Sequence, residues 1–173
     1  MSDLYATYGT VQEADAYFAV RLHEVAWSAS NPAERLPALI SASRIIDSLN
    51  FKGMKNSVYL VLEANPEATL ADQRAANLTQ DLEFPRGSDT VVPSRIQWAC
   101  FEIAYALLDG VDPEMELENM SMTNHGIGTV RSSYNRNQEP LEHFMNGVPS
   151  AIAWKYLRPF LRDDKGRRLS RIS

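Results

Sequence analysis

The segment from Pro93 to Asp109 constrains the fold more than any other. Ile96, Cys100, Ile103, Ala104, Leu107 and Leu108 fall on one face of an α-helix, and Trp98, Phe101 and Tyr105 fall on a second. A helix apolar on two sides must lie at the centre of a core or be shared with another subunit. Pro93 suits the first helical position, where its missing N–H costs nothing. Gly110 closes the helix and Pro113 follows it. The chain has 173 residues, 45% of them hydrophobic, enough to wrap such a helix as one domain.

The flanking segments read as further helices. Thr10-Val11-Gln12-Glu13 is a capping box. From it a helix with Val11, Ala14, Phe18, Leu22 and Val25 on one face is predicted to run to about Ser28. Asn31 caps the next helix, with Pro32 at its first position and Glu34 in its first turn. Its inner stripe reads Leu36, Leu39, Ile40, Ser43 and Ile46, and Gly53 ends the element. Val58–Leu62 fits either strand or helix, and Leu70–Leu82 is helical behind a Thr69 cap. Glu83-Phe84-Pro85-Arg86-Gly87 must turn, because Pro and Gly both punctuate it. Arg86 there is either an exposed contact or a brace on nearby carbonyls, and bracing is favoured. Met120–Tyr134, with Gly126 and Gly128 between β-compatible residues, reads as a hairpin or an extended edge strand. Pro149–Leu161 is a last short helix with Ile152, Tyr156 and Phe160 on one face.

The fold class expected is therefore mainly α: a compact helical bundle with a projecting β-hairpin or extended segment and a C-terminal helical arm with a basic tail. Residues 1–113 read as the bundle core, 114–148 as the hairpin or extended segment and 149–173 as the helix and arm, within one domain overall. No repeat marks a solenoid.

Charge divides the chain. From Arg158 to Ser173 there are six basic residues against Asp163 and Asp164, a net +4. The whole chain is −5, so the remainder carries −9. An acidic body weakens attraction to phosphate, whereas a basic arm reads either as a docking device for an acidic partner or as a frayed, solvated terminus. A single cysteine, Cys100, permits no intrachain disulfide and suits a reducing compartment. No apolar run approaches the ~20 residues that span a bilayer. The first residues lack the pattern of a signal peptide.

Chemistry is hard to find. His23, His125 and His143 sit at no metal-ligand spacing with one another or with Cys100. Cys100 lies on an apolar face with no base beside it, so it reads as an inert buried thiol. Glu114, Glu116 and Glu118 are most simply solvated acids, since no calcium-loop glycine accompanies them. Gly126-Ile127-Gly128 alone is too weak a signal for a dinucleotide site. Trp27, Trp98 and Trp154, with Tyr5, Tyr8 and Tyr134, are base-stacking candidates. They sit mostly among Leu and Ile, which favours core or interface packing. The chain reads as a non-enzyme without cofactor or metal.

Three segments carry a resemblance. They are Tyr8-Gly9-Thr10-Val11-Gln12-Glu13-Ala14-Asp15-Ala16-Tyr17-Phe18 with Trp27; Ala38-Leu39 through Ile46-Asp47-Ser48-Leu49-Asn50-Phe51-Lys52-Gly53; and Gln80-Asp81-Leu82-Glu83-Phe84-Pro85-Arg86, followed by Val92-Pro93 and the helix through Leu108. In this order they resemble the head-to-tail connector (adaptor) proteins of tailed bacteriophages, a family often labelled DnaT-like single-stranded-DNA-binding. Met54–Ala76 looks like an insertion relative to shorter members. The resemblance implies a ring of about twelve copies beneath the portal protein. Each copy would contact its neighbours and the next neck or tail protein, around a lumen that passes genomic double-stranded DNA without sequence-specific binding. It places the protein in the virion at the head–tail junction after assembly in the host cytoplasm, with no membrane partner. The portal-docking candidates are then Trp154, Tyr156, Arg158, Phe160, Arg162, Lys165, Arg167, Arg168 and Arg171. Ile127, Val130 and Tyr134 are candidate subunit or neck contacts, and Phe84, Pro85, Arg86 and Pro93 form a structural turn. The alternative that the family label carries is single-stranded-DNA binding.

Overall fold

Helix α6 (Ser94–Leu108) lies at the centre of the molecule, with Ile96, Ala99, Cys100, Phe101, Ile103, Ala104 and Ala106 buried. The structure is a computed structural model that describes residues 5–121, 124–127, 130–133 and 142–162. Helices α1 (Val11–Ala19), α2 (Val25–Ser28), α3 (Pro32–Asp47) and α9 (Ala151–Leu157) all pack on α6. The described chain is mainly helical, as the two-faced central helix requires. Tyr8, Phe18, Trp27, Leu39, Ile46, Phe51, Phe84, Val148 and Leu157 complete one core around it.

Local signals set most starts. The Thr10 hydroxyl accepts from the Glu13 amide at 3.2 Å, and the Glu13 carboxylate takes the Thr10 amide at 2.7 Å. Those bonds to the charged form hold the Glu13 carboxyl below its ordinary range. The Asn31 side chain accepts from the Ala33 amide at 3.1 Å ahead of Pro32. A second capping box, Thr69 with Asp72, opens α5 (Leu70–Asn77). The Val58–Leu62 stretch is helical, within α4 (Asn56–Ala64), and pairs with α5.

Three expectations are corrected. The first helix does not reach Ser28: α1 stops at Ala19, and His23 adopts a left-handed φ of 59° before α2 begins. The break turns Trp27 inward, stacked on Phe18 with centroids 4.9 Å apart, and its indole N–H donates to Asp15 at 2.8 Å. Leu22 and Val25 are consequently exposed, Leu22 at 83%. In α3 the buried stripe is Ala38, Leu39, Ala42, Ser43 and Ile46, with Leu36 outside it. The last helix ends at Leu157, because Pro159 has no N–H to continue it, and a 3₁₀ turn (Arg158–Phe160) follows. Ser150 caps it through the Ala153 amide at 3.2 Å, and that register buries Ala153, Trp154 and Leu157 while Ile152 is exposed.

The 114–148 stretch is not extended throughout. Helix α7 (Pro113–Ser121) occupies its start, with the Asp112 carboxylate accepting from the Glu114 amide at 2.9 Å. Strands β1 (Asn124–Ile127) and β2 (Val130–Ser133) pair antiparallel, Ile127 opposite Val130, and α8 (Glu142–Met145) follows. Nor does the C-terminal helix stand apart as an arm as far as Arg162. The Lys52 amide donates to the Phe160 carbonyl and the Arg162 amide to the Asn50 carbonyl, each at 2.9 Å.

The turn between Tyr8 and α1 is packed without slack. A Cβ built on Gly9 meets the Phe101 ring at 2.6 and 2.7 Å. Because Phe101 is itself buried in α6, the ring has nowhere to go. Gly9→Ala is expected to destabilise the protein by about 1–3 kcal/mol in urea unfolding; a variant as stable as the parent contradicts this packing.

Candidate functional site

The turn that the sequence marks at Glu83–Gly87 is tied to the residues before α1, to α3 and to residues 52–53. The Tyr8 hydroxyl donates to the Asp47 carboxylate at the end of α3, and the Glu83 amide donates to the Tyr8 hydroxyl oxygen and to Asp47 Oδ1, each at 3.1 Å. Burial, with Asp47 adding to it, pushes the Tyr8 hydroxyl far above its ordinary range, so it stays a donor. Burial also raises the Asp47 carboxyl, against the lowering effect of its bonds to Tyr8 and the Glu83 amide. The Tyr8 amide in turn donates to the Ser43 hydroxyl at 3.1 Å.

Phe84 joins Pro85 through a cis peptide and is buried. Its ring meets Phe51 edge-on at 4.7 Å and Phe160 at 5.5 Å. Arg86 spans the outside of the turn. Its guanidinium donates to the Lys52 carbonyl at 2.9 Å, the Gly53 carbonyl at 2.7 Å and the Glu83 carboxylate. It therefore binds backbone rather than presenting a free charge.

A second polar cluster lies within the apolar helix. Glu102 on α6 is only 2% exposed. It accepts from the Tyr17 hydroxyl at 2.8 Å and from Arg21 at 2.8 and 2.9 Å, a two-pronged ion pair. The Arg21 guanidinium also lies over the Tyr105 ring, 4.4 Å from its centroid. Burial first, then Glu102, drives the Tyr17 hydroxyl far above its ordinary range. Arg35 pairs with Asp15 at 3.0 Å, and Lys55 with Glu83 at 3.5 Å. Arg21, Arg35, Lys55 and Arg86 are thus spent on holding the fold.

The residues singled out for docking are divided. Trp154 is buried, and among the described residues its indole N–H has no hydrogen-bond partner. Phe160 packs on Phe84, and Tyr156 is half-buried against Trp98. Arg158 and Arg162 are exposed. Pro93 caps α6 from one position before its first residue. Lys165, Arg167, Arg168, Arg171 and Tyr134 lie outside the described residues. Ile127 and Val130 are backbone register partners in the β1–β2 ladder.

Nothing in the described surface gathers catalytic groups. No cluster of three His, Cys, Asp or Glu side chains suits a metal among the described residues. Burial lifts the Cys100 thiol to about 11. That makes it a poor nucleophile at neutral pH. His143 is buried with Nδ1 3.1 Å from the Val148 carbonyl. What the surface does offer is apolar: Val20 at 87% exposed, Leu22 and Val25 around the α1–α2 elbow, and Trp98 with Ile152 where α6 meets α9.

Sequence reasoning missed Tyr8–Asp47 and Arg21–Glu102. For Glu102 the signal was present, since a lone acid between Phe101 and Ile103 on an apolar helix requires a partner. Arg21→Met strands that acid, and the expected cost is about 3–5 kcal/mol in urea unfolding. The double variant Arg21→Met/Glu102→Met should recover part of the loss; a double variant no more stable than Arg21→Met contradicts a charge penalty.

Neither the curated proteins nor the solved structures hold a match to this chain. A family model does match, over residues 4–171, nearly the whole chain, and thus takes in α1 through α9 and both polar clusters. The chain belongs to the family described as "Putative DnaT-like ssDNA binding protein".

Proposed function

We propose that this chain is a structural adaptor in the neck of a tailed bacteriophage. Copies form a ring beneath the portal, join it to the next neck or tail protein and surround a lumen through which the double-stranded genome passes. The reading assigns no catalysis and no cofactor, and it places the protein in the virion after assembly in the host cytoplasm.

The observation that carries it is the disposition of charge. Residues 1–157 hold a net −9, and within them Arg21, Arg35, Lys55 and Arg86 are bound to carboxylates or carbonyls of the fold. A wall of this kind repels phosphate and lets DNA slide. The exposed apolar residues at the α1–α2 elbow and on α7 suit protein contacts instead. The three segments that carry the connector resemblance converge on one point, where Tyr8, Asp47 and Glu83 meet.

A second reading is single-stranded-DNA binding. The family's description speaks for it more directly than for the adaptor. Trp98, 39% exposed and one turn from Arg95, is the feature of the structure that favours it.

Electron cryo-microscopy of the chain mixed with the portal protein of the same phage separates the two. The adaptor reading predicts a ring of this chain seated on the portal. Failure to bind an intact portal, combined with salt-sensitive binding of single strands, would move the function to DNA.

A further inference from the structure

Residues 56–79 stand apart from the core. Helices α4 and α5 pack on each other, and neither packs extensively on another helix. Among the described residues, no side chain from Lys52 to Asp81 belongs to the apolar core around α6 or to the half-buried layer on it. Val58, Ala68 and Ala76 are buried outside that core, and Val61 and Leu62 on α4 are half-buried. The two helices have nine and eight residues. An isolated helix of that length does not hold in water. The pair therefore depends on its own packing and on its attachment to the body.

That attachment is polar and converges on Gln80. The Gln80 side-chain oxygen accepts from the Ser57 amide, at the start of α4, at 3.1 Å. Its side-chain NH₂ donates to the Leu82 and Pro85 carbonyls, each at 2.9 Å. The oxygen and both hydrogens are thus engaged, and one side chain ties both ends of the hairpin to the turn at Phe84–Pro85. Beside it, Lys55 Nζ donates to the Gln80 carbonyl at 3.0 Å, the Asn56 amide to the Pro85 carbonyl at 3.0 Å and the Asn56 side chain to the Gly87 carbonyl at 2.9 Å. Such bonds exchange for bonds to water at little net cost, whereas the apolar burial around α6 has no such substitute. The joint gives way before the core does.

We propose that Gln80 is a latch, and that residues 56–79 melt and re-form as one unit while the body around α6 stays folded. Helix α5 carries Leu70 and Arg74, and Leu78 caps its end; spaced by four, they lie along one side, and all three are exposed. The latch decides whether that stripe exists as a surface. An element of this kind is an order–disorder device, and it lies at the low-stability end of the fold. The inference goes beyond the adaptor reading and is independent of it.

The test is native-state hydrogen exchange of the full chain, read by mass spectrometry along a series of urea concentrations below the unfolding transition. The amides of α4 and α5 are expected to exchange at least about a hundredfold faster, relative to their intrinsic rates, than those of α6. They should also respond more weakly to urea, because opening the hairpin exposes less surface than global unfolding. Gln80→Ala should speed exchange in both helices at least about tenfold and leave α6 unchanged. Thr69→Ala removes the α5 cap at the far end of the hairpin from Gln80. It should speed exchange by about fivefold in α4 as well as in α5. Protection and urea response in α4 and α5 equal to those of α6 would overturn the proposal, since the chain would then open only as a whole. So would a Thr69→Ala effect confined to α5, which denies that the pair acts as one unit. Exchange in α4 and α5 untouched by Gln80→Ala removes the latch.

Discussion

The rest of the structure depends on the hydrogen bond from the Tyr8 hydroxyl to Asp47. It ties together three parts of the chain that lie far apart in sequence: the residues before α1, the end of α3 and the turn at Glu83. A half-buried carboxylate is costly unless it is bonded, and here a phenol and a backbone amide satisfy it. Once Glu83 is placed, Phe84 enters the core between Phe51 and Phe160, and Arg86 reaches back over Lys52 and Gly53. The C-terminal turn is sewn to residues 50–52 in the same way, so both ends of the described chain close on one region.

Most of the helical frame was legible in the sequence because it rests on local chemistry. Capping at Thr10 and Asn31 and the two apolar faces of α6 are short-range signals, and the structure carries them. The start of α7 is equally local, with Pro113 at its first position and the Asp112 carboxylate accepting from the Glu114 amide. The α1–α2 break was not readable. Val11, Ala14, Phe18, Leu22 and Val25 keep a perfect helical period, yet the chain turns at His23, because stacking Trp27 on Phe18 and placing Arg21 on Glu102 gains more than one continuous stripe. The buried face of α9 was misread for a related reason: Ser150 sets a register that periodicity alone does not reveal.

The candidate site follows the same division. That Arg86 would brace a turn was visible from Pro85 beside it, but its carbonyl partners on residues 52 and 53 were not. The aromatic residues near the C-terminus looked like one docking strip. Packing splits them: Trp154 is buried in the core, Phe160 lies on Phe84, and Tyr156 is half-buried against Trp98. Tertiary contact thus decides which cations stay available. Arg21, Arg35, Lys55 and Arg86 serve the fold, whereas Arg95 and Lys155 stay exposed where α6 meets α9.

That division of charge is what the functional account stands on, and DNA affinity measures it directly. A fluorescent single-stranded oligonucleotide titrated with the full chain, at low and at physiological salt, reports whether the chain holds a phosphate track. The account predicts dissociation constants weaker than about 10⁻⁴ M at physiological salt. Saturable micromolar binding that persists there, with quenching of Trp98 fluorescence, would contradict it and make the chain a single-stranded-DNA binder.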